Sequence, residues 1–261
     1  MPGHNHLIDA ASVAAEIPDE ARGGPATSAA LRADLVIANR ILFCEGVLDA
    51  FGHVSARHDA RPDRFFLARN MAPGLVADQD LVEFDLDGAA VDAKGRAVYL
   101  ERFIHGEIYR ARPDVHAIVH SHSASVVPFG IVRGVPFRAV SHMGGFIGVC
   151  APIFEIRDSA GDSSDLLVRN CELGAALARS LGEQNVVLMR GHGSTVVGNS
   201  IKQAVFRAVY TEANAHQQAE AMRLGPVVYL TEGETRTTAE VIDKQNGRAW
   251  DLWKMRAEGK V

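Results

Sequence analysis

A short apolar run that ends in two histidines is the feature that most constrains the fold of this chain. Residues 117–119 read Ala-Ile-Val, and His120 and His122 follow them two positions apart. In an extended strand, side chains at positions i and i+2 point to the same face, so both imidazoles can bind one ion from a single strand. A further ligand has to come from another part of the chain. The fold must therefore bring a distant segment to the end of this strand.

His192 is the candidate for that further ligand. It follows the apolar run 186–189, which predicts a buried strand, and glycines flank it on both sides. Glycine allows close approach of neighbouring backbone. Three neutral imidazoles around a divalent ion leave at least one coordination position open, which is typical of catalytic sites. The alternative is that the histidines are hydrogen-bonded packing residues, because an H-x-H pair alone is weak evidence.

Composition and charge limit the kinds of partner. The chain has 261 residues, 47% of them hydrophobic, which is typical of a globular protein with one main domain. The formal net charge is −5 and no dense basic stripe occurs, so neither nucleic acid nor an anionic membrane is an expected partner. We see no apolar run of the roughly 20 residues needed to span a bilayer and no signal-peptide pattern, and expect a cytoplasmic protein that acts on small molecules. The three scattered cysteines are predicted to be core residues.

Periodicity predicts helices that alternate with short strands. The predicted helices are 28–45, 100–110, 124–129, 165–181 and 201–224. The predicted strands are 50–57, 65–68, 81–85, 115–120, 136–140, 186–189 and 194–197. This alternation favours one layered α/β domain, in which a mixed sheet carries helices on its faces.

The two ends of the chain differ from this central domain. Residues 1–27 contain proline, glycine and small residues typical of a flexible tail, so the domain is predicted to span 28–232. A helical extension, 233–261, carries Trp250 and Trp253. Because tryptophan is enriched at subunit contacts, we expect a homo-oligomer, although the two rings could equally pack on the chain's own core.

Together these motifs resemble the class II aldolase/adducin family from about Leu31 to Leu224. The matching residues are the stretch 52–57, which reads Gly-His-Val-Ser-Ala-Arg where the family has G-N-x-S-x-R, then Glu101 at a helix start, Arg-Pro-Asp at 112–114, the histidine pair and Gly-His-Gly at 191–193. The resemblance implies a largely antiparallel sheet between helices on both faces, in three layers. It also implies a homotetramer with active sites at subunit contacts.

The same resemblance implies roles for the site residues. His120, His122 and His192 become the metal ligands, and Glu101 becomes a fourth ligand or the acid/base. Glu101 could instead merely cap its helix, because acidic side chains favour the first turn. His142 stands about where the aldolases place a proton-donating tyrosine, so Glu101 and His142 are the predicted catalytic residues.

Departures from the sugar-phosphate aldolases point to a different substrate. The stretches 68–73 and 98–100 lack the small hydroxyl residues that hold a phosphate there. Arg69 and Tyr99 replace them and suit a carboxylated ring, because guanidinium pairs bidentately with a carboxylate. The residues predicted to bind substrate are His53, Ser55, Arg69 and Tyr99. For Arg69 the alternative is a surface arginine paired with an acid.

These departures resemble the 3-hydroxy-2-methylpyridine-4,5-dicarboxylate 4-decarboxylase and dihydroxyphthalate decarboxylase branch. The expected function is therefore a lyase reaction, the metal-dependent decarboxylation of a hydroxylated aromatic or pyridine dicarboxylate, as in aromatic catabolism or vitamin B6 degradation. The pyridine branch favours manganese, and the sugar aldolases make zinc the alternative. Two other functions stay open: an aldolase or epimerase acting on a non-phosphorylated sugar or hydroxy acid, and a non-catalytic adducin-like module.

Overall fold

The computed structural model describes residues 28–260, and the tail predicted over 1–27 lies outside this part of the chain. The helices are α1 Ala29–Cys44, α2 Arg102–Ala111, α3 Val127–Ile131, α4 Arg157–Ala160, α5 Cys171–Leu181, α6 Ile201–Leu224, α7 Glu232–Ile242 and α8 Asn246–Ala257. The strands are β1 His53–Arg57, β2 Arg64–Ala68, β3 Leu81–Asp85, β4 Ala117–Ser121, β5 Ile153–Phe154, β6 Val186–Met189 and β7 Gly193–Gly198. Short 3-10 helices cover Pro73–Leu75, Asp78–Asp80 and His142–Ile147.

The strands form one sheet in the order β3-β2-β1-β4-β7-β6-β5. Every neighbouring pair is antiparallel except β5 and β6, which are parallel. This confirms the expected mixed, largely antiparallel sheet. The strand that carries His120 lies at its centre, with partners on both sides.

Side chains that alternate along the strands build two separate cores. Val119 of β4 packs in a core that also contains residues of α1, α6 and α8. Its neighbour Ile118 packs in a second core, with residues of α2 and α5. Because successive side chains of a strand point to opposite faces, the two cores lie on the two faces of the sheet. The predicted three-layer arrangement is confirmed.

Several predicted boundaries differ from the structure. The first strand begins at His53 and not at residue 50, and α2 begins at Arg102 and not at residue 100. The helix predicted from residue 165 begins only at Cys171, because the side chain of Asn170 accepts a hydrogen bond from the N–H of Leu173 and caps it there. The preceding residues form a loop that contributes to the site described below.

The strand predicted over 136–140 is absent from the observed sheet. The N–H groups of Arg138 and Val140 donate to the side-chain oxygens of Gln218 and Asn214 on α6. The amide nitrogens of the same two side chains donate back to the carbonyls of Pro136 and Arg138. Side chains of a helix thus satisfy this extended backbone, and no neighbouring strand is needed.

The C-terminal segment forms two helices that pack against the main domain. Trp250 and Trp253 are 2% and 6% exposed and belong to the core of α1 and α6. The ring of Trp253 contacts those of Phe206 and Tyr210. Of the two readings of these tryptophans, packing on the chain's own core is the one observed. None of the helices between residues 28 and 260 combines the length and apolarity that a bilayer crossing requires.

The prediction that the cysteines are core residues is wrong. Cys44 and Cys150 are exposed, Cys171 is half-buried, and all three are free thiols. Two of them occupy helix ends, Cys44 as the last residue of α1 and Cys171 as the first residue of α5.

Candidate metal centre

Four side chains from separate parts of the chain converge at one end of the central strands. The ligand atoms of Glu101, His120, His122 and His192 all lie within 4.8 Å of one another. The Nε2 atom of His122 is 3.1 Å from that of His120 and 2.9 Å from that of His192. The Oε2 atom of Glu101 is 3.5 Å from Nε2 of His120 and 3.4 Å from Nε2 of His192.

These separations fit one divalent ion. Imidazole nitrogens bind zinc at about 2.0–2.1 Å, so two ligand atoms are about 2.9 Å apart at a right angle and about 3.4 Å apart at the tetrahedral angle. The observed distances, 2.9 to 3.5 Å, span that interval. A set of three nitrogens and one oxygen is a common donor set for zinc, manganese, iron or cobalt. The donor set and these four separations therefore fit a bound metal.

The antiparallel pairing of β4 with β7 places the histidines together. His120 lies opposite Thr195, and Ser121 lies opposite Ser194, so the end of β4 meets the turn that precedes β7. His192 belongs to that turn. A Cβ atom at Gly193 would lie only 2.0 Å from the carbonyl oxygen of Ser121, so only glycine permits this approach.

One loop segment orients two members of the cluster. The Nδ1 atom of His192 is 2.9 Å from the carbonyl oxygen of Leu166. Nδ1 must donate this hydrogen bond, so the lone pair of Nε2 points toward the other ligands. The N–H of Val168 donates to Oε1 of Glu101 over 3.0 Å. Leu166 adopts φ 68°, a left-handed conformation that is rare for a non-glycine residue and is found at functional sites.

The carboxylate of Glu101 is held ionised. Burial raises its pKa, but the hydrogen bonds and charges of His120 and His192 outweigh burial and hold the pKa well below its usual range. Although Glu101 precedes the first residue of α2, its side chain makes no capping hydrogen bond. Helix capping therefore does not explain this acid, and its oxygen faces the histidines instead.

The pKa values of the three imidazoles do not all shift in the same direction. Burial lowers the pKa of His120, and burial with the neighbouring histidines lowers the pKa of His122 to about 4. Burial also opposes protonation of His192, yet its bond to Glu101 outweighs this and raises its pKa. Neutral His120 and His122 carry the free lone pairs that a metal requires.

His53 extends this cluster across the sheet. It lies opposite His120 in the pairing of β1 with β4, and the ring centroids are 5.0 Å apart. The ring of Tyr99 lies 4.7 Å from that of His53. His53, His120 and Thr195 therefore lie side by side on three neighbouring strands, on the face of the sheet that α2 and α5 cover.

A family model described as "Class II Aldolase and Adducin N-terminal domain" matches residues 33–219. The chain belongs to this family. The family resemblance on which the site residues were predicted is thereby confirmed.

Curated relatives narrow the branch within the class II aldolase and adducin family. The chain is 43% identical to the decarboxylase tropJ of Talaromyces stipitatus, over 82% of this chain and 88% of that protein. It is 33% identical to a 3,4-dihydroxyphthalate decarboxylase of Arthrobacter keyseri, over 73% of this chain and 78% of that protein. These relatives confirm the prediction of a carbon–carbon lyase.

A solved structure confirms the class II aldolase fold. The L-fuculose 1-phosphate aldolase of Glaciozyma antarctica aligns with a TM-score of 0.72 at 23% identity, over 90% of this chain and 94% of that one. At this identity the similarity concerns the fold alone.

The predicted substrate residues Arg69 and Tyr99 have part of their polar groups already bonded, and the ring of Tyr99 lies beside His53. Nε of Arg69 donates to Asp80 over 2.7 Å, and its side chain is 38% exposed. Its two terminal nitrogens have no partner within residues 28–260. The hydroxyl of Tyr99 donates to the carbonyl of Met71, so only its ring is free to contact a ligand.

Ser55 does not occupy the position predicted for a substrate-binding residue. Its side chain is fully buried, and its hydroxyl lies 2.6 Å from Nδ1 of His105 and 2.8 Å from the hydroxyl of Tyr109. Both partners lie on α2, and His105 is in turn hydrogen-bonded to His53, the residue beside the metal ligand His120. Ser55 is therefore part of an internal hydrogen-bond chain and lacks a surface that a substrate could contact.

His142 is not joined to the cluster within the part of the chain that the structure describes. Its imidazole is exposed on the 3-10 helix His142–Ile147, and it has no hydrogen bond, ion pair or ring contact with residues 28–260. Its predicted role as proton donor stays a prediction.

Sequence reasoning missed four residues that lie around the predicted site, namely His105, Tyr109, Leu166 and Phe51. Glu101, His105 and Tyr109 are spaced four apart, a pattern that places them on one face of α2 and could have indicated a shared role. The carbonyl of Leu166 gives no signal in the sequence, because any residue could supply it. Phe51 is 66% exposed, with its ring centroid 6.4 Å from that of His122, and forms one wall beside the ligands.

Proposed function

We propose that this protein is a divalent-metal-dependent decarboxylase of a hydroxylated aromatic or pyridine dicarboxylate, such as 3-hydroxy-2-methylpyridine-4,5-dicarboxylate. The observation that carries the proposal is the convergence of Glu101 with three histidines within 4.8 Å, in a chain whose curated relatives are decarboxylases. One of those relatives is named for a dihydroxylated aromatic dicarboxylate, which supports the substrate class.

The reaction breaks the bond between a ring carbon and its carboxylate. A proton first adds to the ring carbon that carries the carboxylate, and the adjacent hydroxylate oxygen becomes a carbonyl. The bond to the carboxylate then breaks, carbon dioxide leaves, and the electron pair restores the aromatic ring and the negative charge on that oxygen. A metal bound here would act as a Lewis acid that stabilises the negative charge on that oxygen. His120, His122 and His192 would hold it, with the ionised Glu101 as fourth ligand. The hydrogen bond from Val168 keeps that carboxylate in place.

Arg69 is the proposed partner of the second carboxylate, the one that stays on the ring. Asp80 fixes the guanidinium through Nε and leaves the two terminal nitrogens, the pair that binds a carboxylate bidentately. The Tyr99 ring beside His53 is the proposed surface for the aromatic face of the substrate.

We propose that His142 or Glu101 donates the proton that adds to the ring carbon. The ionised state of Glu101 in this cluster favours the role of ligand, so His142 is the proposed donor. His142→Gln is then expected to lower kcat without changing the metal content. An unchanged kcat would remove His142 from the reaction and leave the proton to Glu101 or to water.

Decarboxylation is tested by following carbon dioxide release. Metal-free protein is loaded with manganese or with zinc and incubated with a panel of hydroxylated benzene and pyridine dicarboxylates. We expect release from at least one member of the panel, with manganese more active than zinc. Aldehyde release from a non-phosphorylated sugar or hydroxy acid, without carbon dioxide, would instead establish the aldolase or epimerase alternative.

A ligand variant separates metal chemistry from other mechanisms. His122→Ala is expected to lose both bound metal and turnover. His116→Ala is the matched control, because His116 is exposed and lies outside the cluster. Full activity in His122→Ala would refute the metal-dependent mechanism.

The assembly and the location of the protein are also proposals. We propose a homotetramer, which light scattering of the purified protein tests directly. The helical extension 233–261 is the proposed subunit contact, through faces of α7 and α8 other than those that carry the buried tryptophans. A cytoplasmic location is proposed from the sequence and is tested by cell fractionation.

A further inference from the structure

A continuous chain of hydrogen bonds runs from the interior of the protein to His53. The hydroxyl of Tyr109 lies 2.8 Å from that of Ser55, which lies 2.6 Å from Nδ1 of His105. Nε2 of His105 lies 2.7 Å from Nδ1 of His53. Tyr109, Ser55 and His105 are at most 1% exposed, so no solvent takes part in these three links.

The number of hydrogens determines the direction of the chain. Each link needs one hydrogen, and Tyr109, Ser55 and neutral His105 each supply one. If Tyr109 donates to Ser55, Ser55 donates to His105 and His105 donates to His53, then each of these three hydrogens has an acceptor. Nδ1 of His53 is the final acceptor, so the proton of neutral His53 must reside on Nε2.

The opposite direction leaves one hydrogen without an acceptor. His53 would donate to His105, His105 to Ser55, and Ser55 to Tyr109, whose own hydroxyl hydrogen would then have no partner. Within residues 28–260, Ser55 is the sole hydrogen-bond partner of that hydroxyl. An unpaired buried donor disfavours this arrangement by roughly tenfold to a hundredfold.

A charged His105 would not resolve the conflict. Both of its nitrogens would donate, and the imidazolium would lie fully buried with no carboxylate hydrogen-bonded to it. An uncompensated buried charge is strongly unfavourable. The surroundings fix the ring of Tyr109 as well, because the guanidinium of Arg57 lies 4.7 Å above its centroid.

We infer that Tyr109, Ser55 and His105 are positioning residues that make His53 a neutral hydrogen-bond donor, with its Nε2–H directed at an oxygen of the bound substrate. His53 lies beside the metal ligand His120, and its Nε2 atom has no partner within residues 28–260. A carboxylate or a ring hydroxylate next to the metal is the acceptor that such a donor fits. A general base is excluded at this position, since Nε2 carries a proton and no lone pair. The role toward substrate rests on the proposed function, whereas the direction of the chain does not.

The direction is measured in the wild-type protein. NMR of zinc-loaded protein with isotope-labelled histidine identifies which ring nitrogen of each histidine carries the proton, and a His53→Gln variant assigns the resonances. We expect a neutral His53 with its proton on Nε2. A proton on Nδ1, or on both nitrogens, would overturn the inference. This result does not depend on which reaction the protein catalyses.

Binding to substrate oxygens is tested with salicylate, which carries a hydroxyl next to a carboxylate. Adding salicylate is expected to shift the His53 Nε2–H resonance as that hydrogen bonds to an oxygen. An unshifted resonance in protein that demonstrably binds salicylate would remove His53 from the ligand site. If salicylate shifts the resonance but no panel member is decarboxylated, the proposed reaction fails and the donor role stands.

Two variants at His105 separate positioning from packing. His105→Gln keeps an amide N–H that can donate to His53, and we expect kcat/KM within a few-fold of wild type. His105→Leu has similar bulk but no donor, and we expect KM for the dicarboxylate to rise about tenfold, with kcat changing less. Equal kinetics for the two metal-loaded variants would contradict the positioning role. If His105→Leu fails to fold, the wild-type NMR result decides the question.

Discussion

Replacing Gly193 by alanine is expected to abolish metal binding, although Gly193 is not itself a ligand and all four ligand side chains stay in place in the sequence. A Cβ atom there would lie 2.0 Å from the carbonyl oxygen of Ser121, whereas contacts under 3.0 Å do not occur. The end of β4 and the turn before β7 must therefore separate by about 1 Å. Ligand distances in a metal site tolerate deviations of only about 0.2 Å. His122 and His192 lie on the two separated segments, so they can no longer bind the same ion.

The variant is also expected to be less stable. Overpacking of this kind lowers the free energy of unfolding by about 1–3 kcal/mol, which urea unfolding of the metal-free protein measures. Metal content after dialysis against buffered zinc measures the binding defect. Gly247→Ala is the control, because a Cβ at Gly247, in α8, meets nothing within 4 Å. Gly193→Ala protein that binds zinc as tightly as wild type would refute the argument that this glycine sets the distance between the ligands.

Three further outcomes are expected. Trp253→Ala should lower the free energy of unfolding by about 3–5 kcal/mol in urea, while Leu224→Ala, at a 91% exposed position, should leave it unchanged; equal effects would contradict the buried packing of Trp253. Burial lowers the pKa of His105 to about 3, whereas the pKa of histidine in an unfolded chain is about 6.5. Neutral His105 therefore contributes fully to the free energy of unfolding above pH 6.5, and this contribution is lost as the pH falls toward 3. Between pH 6.5 and pH 5, the free energy of unfolding of metal-free wild type should therefore fall by about 2 kcal/mol more than that of His105→Gln, as measured by urea unfolding at each pH. An equal fall in both proteins would contradict this prediction. Arg69→Gln should raise KM for a dicarboxylate about tenfold with little change in kcat, whereas an unchanged KM would show that Arg69 does no more than pair with Asp80.

Local pattern was sufficient to predict the bounds of several strands and helices. The strands 81–85 and 186–189 and the helix 201–224 have the predicted bounds, because alternation and helical spacing over these segments agree with their burial. The two-residue spacing of His120 and His122 correctly predicted that they approach one another. The same local reasoning failed over 136–140, where side-chain amides of α6 replace a partner strand, and such long-range pairing leaves no pattern in the segment itself.

The surroundings of the ligands were harder to predict than the ligands. Ser55 was predicted to bind substrate from its place in a family motif, but the motif does not state how far along β1 the substrate site extends. Ser55 shares a face of β1 with His53 but pairs with Ile118 in the core under α2, where His105 and Tyr109 take up its hydrogen bonds. That contact joins residues 50 and 54 positions apart in the sequence, and it follows only once the packing of α2 against the sheet is known.

The backbone of residues 166–168 gives the site a vulnerability that its side chains do not reveal. Because the Leu166 carbonyl holds His192 and the Val168 amide holds Glu101, any change that reorients this short stretch disturbs two metal-binding groups together. A substitution or insertion in this loop would therefore have the phenotype of an active-site lesion while every catalytic side chain is intact. Inactive variants that map here are best read as losses of ligand alignment, and their metal affinity is the quantity to measure first.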